Sequence, residues 1–185
     1  MTRAKTRTTN PRLRNRTGLT LLALGVVLAG IGLWQHVDSY DADSPPNRGG
    51  AALVRSIADA VPASQPFRHL TETRVEVGGE SLRVVVADTA EERSEGLRRR
   101  STIGEYDGML FVYTDPVEIS FTMSTVPVPL EIAFYDGDGR VVSRLLMRPC
   151  AEAASDCPSY SADAEFVYAL ETLKDDLPAG RLAAA

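Results

Sequence analysis

Cysteine, histidine and aromatic residues are all scarce in this chain of 185 residues. It has two cysteines and two histidines, and aromatic side chains make up 6% of the sequence. Two cysteines cannot build a four-thiolate zinc centre, and two histidines leave few ways to assemble a catalytic site. The sequence also contains no glycine-rich phosphate loop and no internal repeat. We therefore expect no metal site and no cofactor.

Positive charge is scarce outside the N-terminus. Residues 1–16 hold six bases and no acid, whereas residues 17–185 hold 14 bases against 25 acids, a net charge of -11. An acidic body disfavours contact with the phosphates of nucleic acids, so no nucleic-acid partner is expected. The composition, 44% hydrophobic and 24% charged, excludes collagen-like and wholly disordered chains. We expect a globular domain preceded by a short basic tail.

Charged side chains are absent from residues 17–35, and residues 19–34 are almost wholly apolar. Eighteen helical residues at 1.5 Å each span about 27 Å, close to the thickness of the hydrocarbon core of a bilayer. A buried core helix is the alternative, but such a helix rarely lacks a polar face over five turns. Trp34 lies where an interfacial aromatic residue is expected. Residues 17–35 are therefore predicted to form a transmembrane helix.

The flanks of this segment predict its orientation. Six bases precede it, whereas three aspartates follow within residues 38–43. Positive flanks stay in the cytoplasm, so the body of the chain is expected outside the cell membrane. A cleaved signal peptide is the alternative. Residues 28–30 begin like a lipoprotein cleavage site, but Ile31 stands where the lipidated cysteine is needed. We expect a retained, single-pass signal anchor.

Proline and glycine punctuate residues 36–66, as is typical of a linker. Within the linker, five apolar residues share one helical stripe and predict a short helix that rests on the domain or on the membrane: Leu53, Val54, Ile57, Ala58 and Val61. Residues 67–185 are then left to form an extracytoplasmic domain.

Short β-branched and apolar runs dominate residues 67–185. Strands are predicted at residues 74–77, 82–87, 109–113, 118–123, 130–135, 141–147 and 166–170. Glycine-containing hairpin signals lie at residues 78–79 and 136–139, and residues 89–92 match a helix capping box. This pattern predicts a mainly β fold: a compact β-sandwich or jelly-roll-like barrel with one short helix, preceded by the transmembrane helix.

Six segments, taken in order, are similar to one protein family. They lie at residues 87–93, 96–97, 108–112, 121–134, 136–139 and 150–160. Together they resemble the domain of unknown function 192 family, from about Val75 to Leu170. The resemblance implies a small β-rich, jelly-roll-like fold that is often exported and has no established biochemical activity.

The chain departs from the usual motif of this family, Phe-Trp-Met-Lys-Asn-Thr followed by Pro-Leu-Asp. The tryptophan, lysine and asparagine positions hold Thr122, Ser124 and Thr125, and the aspartate position holds Glu131. If members of the family bind something through that aromatic ring and amine, this chain has lost both groups. Glu131 keeps a carboxylate.

Cys150 and Cys157 are expected to lie outside the cell, where a cysteine pair indicates a disulfide. A metal site is the alternative, but no histidine is near, and Glu152 and Asp156 are poor companions for thiolate zinc. A redox-active pair more typically has Cys-x-x-Cys spacing. We expect a structural disulfide.

A basic triplet, Arg98 to Arg100, follows the predicted helix. Such a triplet could bind an anion, but at the end of a helix it more often complements the helix dipole and faces water. We favour the second interpretation.

The segment from Phe121 to Glu131 is predicted to contact a ligand. Pro127 and Pro129 interrupt its strand-like alternation, and interrupted strands often border a cavity. Glu131 is expected to be the main polar contributor, because a carboxylate between two apolar residues needs water, a donor or a ligand. The predicted ligand-binding residues are Phe121, Met123, Thr125, Glu131 and Asp107.

The sequence favours non-catalytic binding of a small ligand, an envelope polymer or an envelope protein by a membrane-tethered domain. The alternative is a hydrolase-type enzyme that uses the carboxylates of Asp107, Glu118 and Glu131. A purely structural partner in a larger complex is a third possibility. A concave pocket with convergent acids would favour the enzyme, and a flat apolar patch would favour a protein partner.

Overall fold

A computed structural model describes residues 48–173 and 175–185, which contain two helices and ten strands. The helices are α1 (Arg48–Ala58) and α2 (Ala90–Glu95). The strands are β1 (Val61–Pro62), β2 (Thr71–Val77), β3 (Glu80–Ala87), β4 (Gly108–Val117), β5 (Ser120–Thr122), β6 (Leu130–Tyr135), β7 (Val141–Met147), β8 (Ser159–Ser161), β9 (Phe166–Leu173) and β10 (Leu182–Ala184).

Eight of these strands form one mixed sheet, and β5 pairs with β8 in a separate ribbon. The order across the sheet is β1-β2-β3-β4-β9-β6-β7, with β10 also paired to β2. Neighbours are antiparallel except β3 and β4, which are parallel. A parallel pair needs a crossover connection, and residues 88–107, which include α2, supply it. Strand β9 consequently lies in the interior of the sheet, between β4 and β6.

The predicted mainly β fold is confirmed, but the predicted barrel is wrong. In the described part of the chain the sheet is open, because β7 does not pair with the strands at the opposite end. The outer edge of β2 is taken instead by two short segments, β1 and β10. Strands β1, β8 and β10 have only two or three residues each. That is too short to leave an alternating pattern, and the sequence did not predict them.

Alternation along the strands gives the sheet two apolar faces. One face carries Met109, Phe111 and Ile132 and is covered by the crossover through Leu97 and other apolar side chains. We call it the crossover face. The second carries the alternate residues of the same strands and is covered by α1, and we call it the α1 face. Most of the large aromatic side chains of the core are on the crossover face.

Helix α1 confirms the helix predicted within the linker and rests on the domain. Leu53 is fully buried, and Ile57, one helical turn later, packs against the same cluster. The predicted stripe was too wide, because Val54 and Val61 are 55% and 56% exposed. Val54 lies about 100° around the helix from Leu53 and so cannot face the same surface, and Val61 lies beyond the end of the helix, in β1.

The two predicted hairpins are also present. Gly78 and Gly79 both have positive φ, and they join β2 to β3. A side chain at Gly78 would place its Cβ 1.9 Å from the carbonyl oxygen of Ala179, so this position requires glycine. Residues 136–139 join β6 to β7, where the Asp136 amide donates to the Arg140 carbonyl at 2.9 Å.

Thr89 begins α2 with the predicted capping box. Its hydroxyl accepts from the Glu92 amide at 3.3 Å, and the Glu92 carboxylate accepts from the Thr89 amide at 3.0 Å. Such reciprocal bonds satisfy amides that the first turn of a helix leaves free. The box fixes the start of the helix at the end of β3.

We expect Thr89→Ala to lower the free energy of unfolding by about 1 kcal/mol, because the helix loses its cap. Urea unfolding followed by far-UV circular dichroism measures this. Thr114→Ala is the matched control, since Thr114 is exposed in β4 and has no capping role. Equal losses in the two variants would contradict the capping account.

Cys150 and Cys157 form the predicted disulfide, with a distance of 2.04 Å between the two sulfurs. The disulfide loop supports the segment after β5. The Thr125 amide donates to the Cys150 carbonyl at 2.8 Å, and the buried Ser124 hydroxyl donates to the Glu152 carbonyl at 2.9 Å. The loop therefore holds residues 124–126 against the domain.

We expect reduction of this disulfide to lower the free energy of unfolding by about 2.5 kcal/mol, the value for closure of an eight-residue loop. Urea unfolding with and without dithiothreitol measures the change. A double Cys150→Ser, Cys157→Ser variant should match the reduced protein and should not respond to reductant. A protein equally stable in both redox states would contradict the prediction.

Within residues 48–173 and 175–185, no helix is long and apolar enough to cross a bilayer. The basic tail at residues 1–16, the transmembrane segment at residues 17–35 and the first part of the linker lie outside the described residues. Their structures stay predictions.

Candidate ligand-binding site

The five residues predicted to bind a ligand are distributed over several elements. Phe121 lies in β5 and is half-buried, and Met123 is buried in the core of the crossover face. Thr125 is exposed, has a φ of 62° and accepts from the Arg99 amide through its carbonyl at 2.8 Å. Asp107 is exposed and accepts from the Arg83 amide at 2.7 Å. Their role in binding stays a prediction.

Glu131 points to the α1 face of the sheet, because it is opposite Thr172 and alternates with Ile132. Its carboxylate pairs with Arg144 at 2.9 Å, and the same guanidinium donates to the carbonyls of Leu177 and Pro178. The structure thus places the predicted main polar contributor in an ion pair, on the opposite face of the sheet from Met123.

The carboxylates of the alternative enzymatic hypothesis do not form one group. Asp107 immediately precedes β4 and Glu118 immediately follows it. A ten-residue strand is roughly 30 Å long, so these two carboxylates flank opposite ends of β4. Among the described residues, no three Asp, Glu, His or Cys side chains come together as they would in a metal site.

A cavity of about 330 Å³ lies on the crossover face, between α2 and β5. Its apolar lining comes from α2, the turn after it, β4 and the segment around β5. The residues that line it include Arg93, Arg98, Phe111, Tyr113, Phe121 and Glu171. Of the five residues predicted to bind a ligand, Phe121 is the one that lines this cavity.

Glu171 is the polar group that distinguishes this cavity. It lies in β9 directly opposite Met109 of β4 and Ile132 of β6, so its side chain is on the apolar crossover face. Only 6% of Glu171 is exposed. Neither carboxyl oxygen has a hydrogen-bond or ion-pair partner among the described residues, and both are accessible from the cavity, because Arg100 Nε is the one fully enclosed side-chain nitrogen or oxygen without a partner in this part of the chain. A buried carboxyl group without a partner is costly in a protein interior.

Burial raises the pKa of Glu171 from its ordinary value of 4.5 to about 8. Removal from water penalises the charged carboxylate, and among the described residues no cation offsets that penalty. Glu171 is therefore mostly protonated at neutral pH and presents a carboxyl group that can both donate and accept a hydrogen bond.

Tyr113 and Arg93 form the part of the wall contributed by β4 and α2. The Arg93 guanidinium stacks on the Tyr113 ring, 4.7 Å from its centroid, and donates to the carbonyls of Asp88 and Val112. Burial is the main cause that raises the pKa of Tyr113 to about 12; the nearby Arg93 guanidinium lowers this pKa, and the Glu171 carboxylate, which is ionised at such high pH, raises it. Tyr113 thus keeps its proton, and Arg93 holds α2 against β4.

Two arginines of the basic triplet after α2, Arg98 and Arg100, connect α2 and the turn after it to other parts of the domain. Arg98 donates to the carbonyl of Ser94, in the last turn of α2, and to that of Ser124, both at 3.1 Å. Arg100 stacks on Phe67, 4.4 Å from the ring centroid, and pairs with Glu95 at 3.7 Å. Arg98 therefore binds the helix C-terminus as the favoured interpretation requires, although Arg98 and Arg100 are half-buried.

Aromatic rings form the inner wall of the cavity. Phe121 meets Phe111 edge to face at 5.2 Å between ring centroids, and it meets Phe134 at 5.5 Å. Thr122 also lines the cavity, at the position where the family motif quoted above has tryptophan. Threonine is far smaller than tryptophan and leaves room that an indole would occupy.

Sequence reasoning missed Glu171 because the last predicted strand ended at Leu170. The signal was nevertheless present. Ala169, Glu171 and Leu173 alternate along one face of a strand that is otherwise apolar. An acid at an inward-facing position of a buried strand is an informative exception.

The fold and the cavity define a small domain built on an open mixed sheet, with a ligand-sized cavity and one buried acid. The chain matches the DUF192 family, described as uncharacterized ACR, over residues 73–182, and it belongs to this family. No curated protein matches the chain.

Solved structures that resemble this fold include the following two. A protein of unknown function from Novosphingobium aromaticivorans DSM 12444 is 25% identical, with a TM-score of 0.54 over 69% of this chain and 95% of its own. A protein from Sinorhizobium meliloti 1021, provisionally described as a transcription regulator, is 23% identical, with a TM-score of 0.50 over 59% of this chain and 88% of its own. The second likeness shows the fold alone.

Proposed function

We propose that this domain binds a small organic ligand in the Glu171 cavity, without catalysing a reaction on it. The observation that carries the proposal is Glu171, which is only 6% exposed, opens onto a cavity of about 330 Å³ and has no hydrogen-bond or ion-pair partner among the described residues. The cavity combines aromatic side chains with polar groups, and convergent polar groups beside aromatic side chains are typical of small-molecule sites. The aromatic wall would bury the body of the ligand, and Glu171 would orient it.

The free-energy cost of burying Glu171 in an apolar part of the sheet supports a functional role for this residue. Its neighbours across the sheet, Met109 and Ile132, are apolar and buried, and a leucine at this position would extend the same core. A buried polar group that lacks a partner costs free energy in the empty protein, and a ligand that supplies the partner recovers it. Perturbed acids in clefts are concentrated at functional sites for this reason.

Acid–base catalysis in the same cavity is the second candidate, and the pKa of Glu171 favours it. A carboxyl group with a pKa of about 8 could exchange a proton near neutral pH. Hydrolysis of the kind considered from the sequence also needs a second positioned group. Tyr113, whose pKa is raised to about 12, is poorly suited to that role. Binding without catalysis is therefore the better-supported function.

A protein partner has less support. The large apolar side chains that are exposed among the described residues are spread along the chain, and only Val141 and Leu146 share an element, strand β7: Val54, Val61, Ile119, Val141 and Leu146. Single exposed apolar residues are normal on a protein surface and do not by themselves indicate an interface.

Ligand-shift melting of the full chain against a library of small organic molecules tests the proposed function. Compounds that raise the melting temperature of the wild type should lose their effect in Glu171→Met, which keeps the length of the side chain and removes its hydrogen-bond donor and acceptor. Glu165→Met is the matched control, because Glu165 is exposed immediately before β9. Compounds that stabilise wild type and Glu171→Met equally would place binding outside the cavity and contradict the proposal.

We further propose that the domain acts outside the cell membrane, tethered by residues 17–35. The apolar length of that segment and the six bases before it support this location. Protease added to intact, wall-stripped cells should remove the domain, whereas a cytoplasmic marker protein should survive. Full protection of the domain while an external marker is digested would reverse the orientation.

A further inference from the structure

We propose that the ligand of the Glu171 cavity carries a positively charged amine, which forms an ion pair with Glu171. This inference rests on the proposed function and specifies the chemical class of the ligand. Arg93 and Arg98 in the cavity wall already donate to backbone carbonyls. Glu171 has no hydrogen-bond or ion-pair partner among the described residues.

The charged and titratable groups around the cavity come from three elements. Helix α2 contributes Arg93 and Glu95, the turn after it contributes Arg98, and β4 contributes Tyr113. Arg93 and Arg98 each donate to two backbone carbonyls. Glu95 lies between Arg100 and His69, at 3.7 and 3.6 Å. None of these groups bonds to Glu171 within the described part of the chain.

The ligand must therefore supply Glu171 with a hydrogen-bond donor or a cation. The aromatic side chains that line the cavity favour a cation. Aromatic rings attract positive charge through their negative faces, most strongly where water is excluded. Phe111, Phe121 and Tyr113 line the same cavity as Glu171. An anionic group beside Glu171 could accept a hydrogen bond from its protonated carboxyl group but would gain no attraction between charges from it, whereas an ammonium ion gains both a hydrogen bond and an ion pair once Glu171 ionises.

The proton balance of binding follows from these groups. In the empty protein at neutral pH, Glu171 is mostly protonated. An alkyl ammonium ion enters already charged, because its pKa is near that of a lysine side chain, about 10. Glu171 then releases its proton to water, and an N–H group of the ammonium donates to the carboxylate. Binding of one amine should therefore release close to one proton at pH 7 and become tighter as the pH rises toward 8.

Three probes with the same aromatic body and different polar ends test this inference: phenethylamine, 2-phenylethanol and 3-phenylpropionate. Binding to the full chain in detergent micelles is followed by NMR of the labelled Glu171 carboxyl carbon and the Phe121 ring. Phenethylamine should bind at least about tenfold more tightly than the alcohol at pH 7.5, and its affinity should rise about twentyfold from pH 6 to pH 7.5. Glu171→Gln should abolish this preference, whereas Glu165→Gln should retain it.

Two results would overturn the inference, and they differ in what they say about the proposed function. If the alcohol or the carboxylate shifts the cavity resonances at least as tightly as the amine does, the amine is not the ligand class, but the cavity still binds small molecules. If none of the three probes changes the Glu171 or Phe121 signals at millimolar concentration, both proposals fail. The pH dependence of phenethylamine binding to the wild type gives the answer even if Glu171→Gln does not fold.

Discussion

The wild-type protein should lose stability as the pH rises from 5 to 8, and Glu171→Gln should remove that part of the loss. The folded state raises the pKa of Glu171 from 4.5 to about 8, so it holds the proton more tightly than the unfolded chain does. The stability that this tightly held proton contributes is fully present below the pKa of Glu171 in the unfolded chain. It is lost as the pH rises through the pKa of Glu171 in the folded protein. The expected difference between the two proteins is about 1.4 kcal/mol for each pH unit in this window, or up to about 4 kcal/mol.

Urea unfolding of wild type and Glu171→Gln at pH 5, 6, 7 and 8 measures this difference, with the disulfide intact in both proteins. Other titrating groups are common to the two proteins, so their contributions cancel in the comparison. Glu165→Gln serves as the control and should follow the wild type across the whole range, because Glu165 is exposed. Parallel curves for wild type and Glu171→Gln would show that Glu171 titrates alike in the folded and unfolded states.

Phe121→Ala should lower the free energy of unfolding by about 3 kcal/mol, near the low end for loss of a core phenylalanine. The ring is half-buried, yet it contacts three other rings, those of Phe111, Phe134 and Phe166, at 5.2 to 6.2 Å between centroids. Its removal would widen the cavity beside Glu171. The same variant should therefore also lose affinity for phenethylamine.

Ile119→Ala is the matched control for Phe121→Ala. Ile119 lines the same cavity two residues earlier and is 43% exposed, so its truncation should cost no more than about 0.5 kcal/mol. Urea unfolding at pH 6, where Glu171 is protonated in the folded protein, compares the two variants. Similar losses in both would mean that the ring of Phe121 is not part of the packed core.

The features of the fold that were predicted from the sequence are local ones. The capping box at Thr89 and the hairpin at Gly78 depend on a few neighbouring residues, and strands β6 and β7 have the predicted bounds. Closure into a barrel was predicted wrongly because it depends on which distant strands meet. The edge of β2 is taken by β1 and β10, whose pairing leaves no pattern in so short a segment.

The candidate site was predicted only in part, for the same reason. Phe121 was found because the segment after it is interrupted by prolines. Glu131 and Glu171 are both acids in apolar strands, and the sequence does not say which one faces a cavity. The register of the sheet decides which acid faces the cavity, because Glu131 is opposite Thr172, whereas Glu171 is opposite Ile132. Glu131 and Ile132 are neighbours in β6, and Glu171 of β9 is opposite Ile132. Glu131 is therefore on the α1 face, in an ion pair, whereas Glu171 is on the crossover face, where it is buried.

Direct titration of the Glu171 carboxyl group tests the central claim, that a buried acid without a protein partner forms the polar end of a ligand cavity. The carbon-13 resonance of this carboxyl group, assigned by comparison with Glu171→Gln, should titrate with a pKa of about 8 in the empty protein. Saturation with phenethylamine should move that pKa to a lower value. A Glu171 that titrates near 4.5 in the empty protein would contradict the account, because it would show a carboxylate that is already solvated or paired.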